Sequence, residues 1–413
     1  MKVKKINKYL DHVRDLWLML GLSCILFLGL EIIARGYYLF RYEILAPNSS
    51  IQKEYQIDER ENSESYKFSP WVIDYFRELQ ESGKSDWYSY VYWRRKAYSG
   101  NYINIDSSGT RKTYNTIPLS KASKKIFMFG GSTIWGTGAR DEYTIPSFVS
   151  KMLDERSHDE FYIVNFGESG YVSTQELIQL ILELKKGNIP NIVIFYDGVN
   201  DVFSAFQNKI VGIPQNEYNR RKEFGLHANI KKAVNEVGPF DLFRRYSAFA
   251  RLVLNRKDKI IAKYKNIAAE EQENKIMQEQ PNLRSSLDSL AEKTVYDYFA
   301  NIRIIGALSR EYQFEAFFFW QPTIYSKGML SSEEERTRKI HQDGRESFFN
   351  LAYSKISSVG NKPMNFYDIQ KVFTERKETV FIDFCHLGEQ GNQIVANIIT
   401  RTLMENSKTS VSD

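Results

Sequence analysis

Apolar positions are distributed along this chain in three ways, and each predicts a different kind of element. Residues 16–34, LWLMLGLSCILFLGLEIIA, are almost unbroken apolar sequence, close to the length of a helix that crosses a bilayer. Shorter apolar runs at 125–129 (KIFMF), 161–166 (FYIVNF), 191–196 (NIVIFY) and 315–320 (EAFFFW) suit strands buried on both faces. Helical spacing marks Ile145, Phe148, Val149, Met152 and Leu153, then Leu177, Ile178, Ile181 and Leu184, and last Ile394, Val395, Ile398, Ile399 and Leu403. Strands alternating with helices predict an α/β domain whose mainly parallel sheet is covered on both faces. Ligands of such sheets sit beyond the carboxyl ends of the strands, so chemistry is expected in the loops that follow them.

The remaining stretches divide the chain. Residues 1–35 read as a tail and anchor, 36–120 as an extension that packs on the main domain, 121–406 as that domain, and 407–413 as a C-terminal tail. The extension is polar and aromatic and reads as short strands and turns, with Asp106-Ser107-Ser108-Gly109 as a turn after NYINI. Its aromatic cluster from Trp87 to Trp93 offers packing surface or flat faces for sugar rings. In the main domain, Ser173 and Glu176 read as a capping box, and Lys185, Lys186 and Gly187 as the close of the same helix. The rhythm breaks at 203–285, a charged insertion expected to be helical, which carries seven more basic than acidic residues.

Composition sharpens this picture in two places. A chain of 413 residues with 42% hydrophobic content can bury a sizeable core, and a formal charge of +5 is too small at this length to leave a nucleic-acid footprint. Before the apolar run stand Lys2, Lys4, Lys5, Lys8 and Arg14 against Asp11 and Asp15, so the short tail is expected in the cytoplasm and the rest across the membrane. The run is long for a signal peptide, so a retained anchor is expected. Cys24 lies inside the run and Cys385 far from it, so no disulfide is expected.

Candidate chemistry begins at FGGSTIWGTG, residues 129–138. A phosphate loop would need a Lys after the last glycine, and a dinucleotide loop would need glycine where Asp141 stands; no cofactor is expected. Glycines around Ser132 instead suit a non-helical loop that presents a hydroxyl. The five histidines lack metal-ligand spacing, so no metal site is expected. His386 follows Asp383 by three residues, an arrangement in which the carboxylate can orient the imidazole while its other nitrogen faces a nucleophile. Cys385, adjacent on the chain, is poorly directed for the same transfer and reads as a core residue. Two more loops follow predicted strands. NFGESGY offers the Gly170 N–H, and DGVND offers the Asn200 amide, to a developing oxyanion.

Together the four loops resemble the SGNH hydrolases, the GDSL-type esterases and lipases. Residues 129–133 match the block that holds the nucleophile, 165–170 the block whose last glycine donates an N–H, 198–201 the G-x-N-D block, and Asp383 with His386 the last block. The resemblance spans roughly 124–406 apart from the insertion. It implies a three-layer, flavodoxin-like sandwich, with Ser132 as nucleophile, His386 as base and Asp383 as orienting acid. It further implies an oxyanion hole made by the N–H groups of Ser132 and Gly170 and by Asn200, with Gly167 as an alternative donor. Gly131 stands where the family has Asp. The activity implied is that of a membrane-anchored, extracytoplasmic serine esterase. Its expected substrate is a small acyl ester, acetyl above all, carried on a glycan, a lipid or a small molecule. An O-acyltransferase of envelope polysaccharide uses the same triad and is the alternative, and a non-catalytic tethered binding protein is the second.

Overall fold

The computed structural model describes residues 2–39, 57–217, 220, 247, 249, 281–340, 344–363 and 365–409. The helices expected inside the insertion therefore fall, between 221 and 280, almost wholly outside the described residues. The tail at 407–413 is described only through 409, where it continues the last helix.

Two compact units are present: residues 1–54 with 221–279, and residues 55–220 with 280–413. In the first, α1 spans Lys2–Leu39 and contains one stretch, His12–Tyr37, long and apolar enough by length and composition to cross a membrane. Its large side chains, Trp17, Ile25, Leu26 and Ile32 among them, are exposed, which is not the pattern of a core helix. Glu31 accepts hydrogen bonds from Ser247 Oγ at 2.8 Å and from the Phe249 N–H at 3.1 Å.

Early in the second unit lies α2 (Val72–Glu81), a helix that the sequence reading did not single out. Its apolar positions Val72, Tyr75, Phe76 and Leu79 recur at helical spacing and bury one face, a signal hidden by the polar residues between them. A hairpin follows, β1 (Ser85–Tyr88) with β2 (Tyr92–Arg95), then the short pair β3 (Tyr98–Ser99) and β4 (Asn104–Ile105). The turn expected at 106–109 is present, closed by the Gly109 N–H on the Asp106 carbonyl at 3.0 Å.

The main sheet has five parallel strands: β5 (Lys124–Gly130), β6 (Phe161–Asn165), β7 (Ile192–Asp197), β8 (Glu315–Trp320) and β9 (Phe366–Asp368). Their order, β6-β5-β7-β8-β9, is the flavodoxin-like doubly wound order, which reverses direction between β5 and β7. After β5 comes α3 (Ser132–Trp135), a single helical turn where a non-helical loop was expected. Helix α4 (Ile145–Arg156) is capped by Thr144 Oγ1, which accepts the Ser147 N–H at 3.3 Å. Next are α5 (Ser173–Lys185), α6 (Val199–Asn208), the long α7 (Pro281–Tyr312), α8 (Ser332–Ile340), α9 (Arg345–Ser358) and α10 (Glu389–Thr409). Helices α4 and α10 pack together, while α5, α6, α7 and α9 form a second group, giving helix, sheet and helix layers.

The cap of α5 differs from expectation. Val172 is the N-cap, its N–H held by Gln175 Oε1 at 3.3 Å, and Ser173 is already helical. Ser173 is drawn in because both its N–H and its hydroxyl bond Asp201 Oδ1, at 3.1 and 2.6 Å. No local pattern announces that partner.

Candidate active site

Ser132 follows β5 at the reversal point of the sheet, where doubly wound folds bind ligands. Its Oγ lies 2.7 Å from His386 Nε2, and His386 Nδ1 lies 2.6 Å from Asp383 Oδ2. Three side chains expected to work together thus form one hydrogen-bonded line, although 254 residues separate the serine from the histidine. Asp383 Oδ1 is held separately by the N–H groups of Cys385 at 2.9 Å and His386 at 2.8 Å, so the carboxylate cannot swing away from the imidazole. Ser132, Asp383 and His386 are all partly exposed, and a substrate can reach them.

Burial opposes the charge on Asp383, but the attraction and hydrogen bond of His386, the guanidinium of Arg60 and the Cys385 N–H outweigh it. They hold the carboxyl far below the usual carboxylate range. Cys385 behaves oppositely. Burial, then the nearby Asp383 charge, pushes its thiol well above the ordinary value, and its Sγ sits 3.6 Å from His386 Nδ1, the nitrogen already taken by Asp383. It is a buried core residue. The donor atoms of Asp383, Cys385 and His386 lie within 4.8 Å of one another, yet the carboxylate and imidazole are committed to each other, an arrangement that fits proton transfer better than metal ligation.

Around the serine, the loop is clamped from several sides. Asn165 Nδ2 donates to the Ile134 carbonyl at 3.0 Å, and Thr133 Oγ1 bonds Gln321 Oε1 at 2.9 Å. Arg111, fully buried, gives Nη1 to the carbonyls of Trp135 (3.0 Å) and Gly136 (2.7 Å), Nη2 to Ala139 (2.7 Å) and Nε to Asp141 (2.9 Å). The guanidiniums of Arg95 and Arg111 both contact the Trp135 ring, 3.8 and 4.3 Å from its centroid.

Of the expected oxyanion donors, Asn200 is the one whose side chain is held in a fixed orientation. Asn200 is half-buried, and its Nδ2 gives one proton to the Tyr171 carbonyl at 2.7 Å, while Gln215 Nε2 fixes its Oδ1 at 3.0 Å. Its orientation is therefore set, with a second N–H remaining on Nδ2. That nitrogen overlies Gly131: a Cβ built there would stand 2.1 Å from it. With Asn200 so placed, a side chain at 131 would force the amide or the Ser132 turn to move. Gly170 adopts φ +77°, a conformation that favours glycine, and its N–H makes no hydrogen bond among the described residues. Gly167 is buried, and its N–H already donates to Asn165 Oδ1 at 3.0 Å.

The β1–β2 hairpin is wired to this second loop. Trp93 Nε1 donates to the Ser169 carbonyl at 3.1 Å, its ring packs edge-on against Tyr171, and Gln175 Nε2 holds the Val91 carbonyl at 2.8 Å. The hairpin leaves Trp87 64% and Tyr90 72% exposed, so part of the aromatic cluster packs and part faces solvent.

Sequence reasoning missed Arg60, Arg111 and the buried pair Lys327–Glu334. Glu334 accepts the N–H groups of Val380 (3.0 Å) and Phe381 (3.2 Å), anchoring the strap that leads to Asp383. None lies in a motif, and only their pairing across the fold reveals a role.

No protein-family model and no curated protein sequence matches the chain. Solved structures with a similar fold include an acetyl xylan esterase, AlAXEase, at 14% identity and a TM-score of 0.32, covering 67% of this chain and 98% of that one. Axe2, an acetylxylan esterase from Geobacillus stearothermophilus, aligns at 13% identity and 0.32, over 68% and 94%. A lipase/acylhydrolase from Enterococcus faecalis aligns at 12% identity and 0.34, over 68% and 96%.

Proposed function

We propose that the protein is a membrane-anchored, extracytoplasmic serine esterase of SGNH type that removes small acyl groups, acetyl above all, from a glycan or similar carrier. The observation that carries this reading is the unbroken line from Ser132 Oγ through His386 to Asp383. In the mechanism it supports, His386 Nε2 takes the Ser132 proton as Oγ attacks the ester carbonyl, and Asp383, held ionised, steadies the imidazolium. The tetrahedral oxyanion is met by the N–H groups of Ser132 and Gly170 and by the free N–H of Asn200. The imidazolium then protonates the departing alcohol, leaving an acyl-Ser132 ester. Water, deprotonated by His386, cleaves that ester to release the acid and return the proton to Ser132. A sugar hydroxyl in place of water would give O-acyl transfer through the same intermediate. The exposed faces of Trp87 and Tyr90, on a hairpin tied to the Gly170 loop, favour a glycan as carrier.

The test is hydrolysis of p-nitrophenyl esters of increasing chain length by the full chain in detergent, followed by acetylated oligosaccharides. Acetate is expected to be turned over best. Ser132→Ala and His386→Ala should each remove nearly all activity. Asn200→Ala should lower kcat by about 10²- to 10³-fold as an oxyanion donor. Preference for long chains would contradict the small-acyl reading, and full activity of either triad variant would contradict the mechanism.

A further inference from the structure

Arg60 belongs to none of the four loops and sits in the first of two short consecutive 3-10 turns, Glu59–Asn62 and Glu64–Tyr66. Asp58 grips it twice, Oδ1 accepting from Nε at 2.9 Å and Oδ2 from Nη2 at 2.7 Å, a bidentate pairing that fixes the guanidinium plane. The remaining arm, Nη1, lies 3.4 Å from Asp383 Oδ2, the same oxygen that bonds His386 Nδ1. The segment is also pinned to the strap preceding Asp383, Ser65 Oγ donating to the Thr379 carbonyl at 3.1 Å and Thr379 Oγ1 donating to Glu64 Oε2 at 3.1 Å. A cation supplied by the extension is thus built onto the outer side of the triad acid.

We propose that Arg60 is a positioning residue for the triad: it holds Asp383 in line with His386, and its fixed charge sets how far into acid the imidazole remains free to act as base. This rests on the serine-esterase reading above. The groups facing Arg60 and Asp383 are Asp58, His386, Cys385, Tyr66 and Tyr75, with Glu389 nearby in its ion pair with Arg140. Burial pushes the hydroxyls of Tyr66 and Tyr75 and the thiol of Cys385 upward, so all three stay neutral. Asp58 is held down by Arg60 against the effect of burial and stays ionised. A guanidinium at Oδ2 competes with the imidazolium for the carboxylate and repels it. Removing it leaves that carboxylate oxygen to the imidazolium alone and takes the repulsion away.

The experiment follows two rates across the acid-to-neutral range with full-length protein in detergent: p-nitrophenyl acetate hydrolysis, and labelling of Ser132 by a fluorophosphonate. Arg60→Gln is expected to move the acid limb of both profiles to higher pH and to lower kcat by about two- to fivefold, the scale of a partly exposed ion pair, with KM unchanged. Arg60→Lys should restore the limb. Asp58→Asn leaves the guanidinium charge wholly to Asp383 and should move the limb the other way, so it carries the test with Arg60→Lys should Arg60→Gln not fold. A limb that stays at the wild-type position in Arg60→Gln, or in Asp58→Asn, overturns the proposal, as does an Arg60→Lys limb displaced like that of Arg60→Gln. Equal labelling of wild type and Ser132→Ala overturns the esterase reading and this proposal with it.

Discussion

At the scale of single residues, the contact between Asn200 and Gly131 makes a sharp demand. A methyl group at 131 cannot coexist with the Asn200 amide, since its carbon would stand 2.1 Å from Nδ2. Gly131→Ala must therefore push Asn200 off the Tyr171 carbonyl or displace the Ser132 turn, and misplacement of about 1 Å in a catalytic array costs on the order of 10²-fold in rate. The expected outcome is a kcat loss of about that size in Gly131→Ala. In an Asn200→Ala background the same change should cost much less, because the clashing group is gone. A kcat cycle over the four forms checks this, and additive losses would contradict it. Ser132, Gly170 and Asn200 stood out in the sequence because each lies in a glycine-bearing loop just after a strand, and Asp383 and His386 because they stand three residues apart just before a helix. Arg60, Arg111 and Lys327 were not, because a lone basic residue has no pattern until its partner is known.

At the scale of elements, α5, β7 and α6 are joined by buried carboxyls. Burial, then the charge of Asp197, drives Glu176 well above the ordinary carboxyl value. Burial likewise lifts Asp197 to about 7, against a hydrogen bond with Glu176 and with the charge of Asp201 adding. Asp201 rises to about 6, burial outweighing its bonds from Ser173. Glu176 Oε2 and Asp197 Oδ1 lack other partners, and one proton shared between them satisfies both. In the unfolded chain these groups titrate near pH 4, so the folded chain binds more protons above that pH. Stability from this cluster is complete below about pH 4 and is lost as pH rises through about 6 to 7. Asp383 acts with the opposite sign, its contribution being present above about pH 4 and lost toward stronger acid. Thermal unfolding should therefore show a falling Tm from mildly acid to neutral pH. Glu176→Gln, which donates without titrating, should flatten that fall; an unchanged slope would contradict the shared proton. The elements themselves were largely readable. Four strands were evident because strands buried on both faces are continuous apolar runs, while β9, three residues of Phe366–Asp368, is too short to show a period. Helix α7 adjoins the charged insertion, and its polar positions hid its packed face.

At the scale of the whole molecule, one compact unit carries Ser132, His386 and Asp383 and the other carries the apolar helix. The stretch His12–Tyr37 has the length and composition of a membrane span, and its basic N-terminal flank predicts a cytoplasmic tail with the catalytic unit outside. A reporter active only outside the cytoplasm should work when fused after Asp413, and the protein should remain with membranes in high salt. Release as a shortened soluble chain would contradict a retained anchor. The boundary of the catalytic unit was less legible. Residues from 55 onward belong to the same compact unit as the sheet, and the reason lies in single buried contacts, Arg111 and Tyr75 above all, rather than in any change of composition.

The central claim is that Ser132 becomes acylated. Rapid mixing of the full chain with p-nitrophenyl acetate, an acid quench and intact-mass analysis test it directly. One acetyl group per chain, located on Ser132 by peptide mapping and missing from Ser132→Ala, is the predicted result. Turnover with no acylated serine, or the same adduct on Ser132→Ala, would contradict the account.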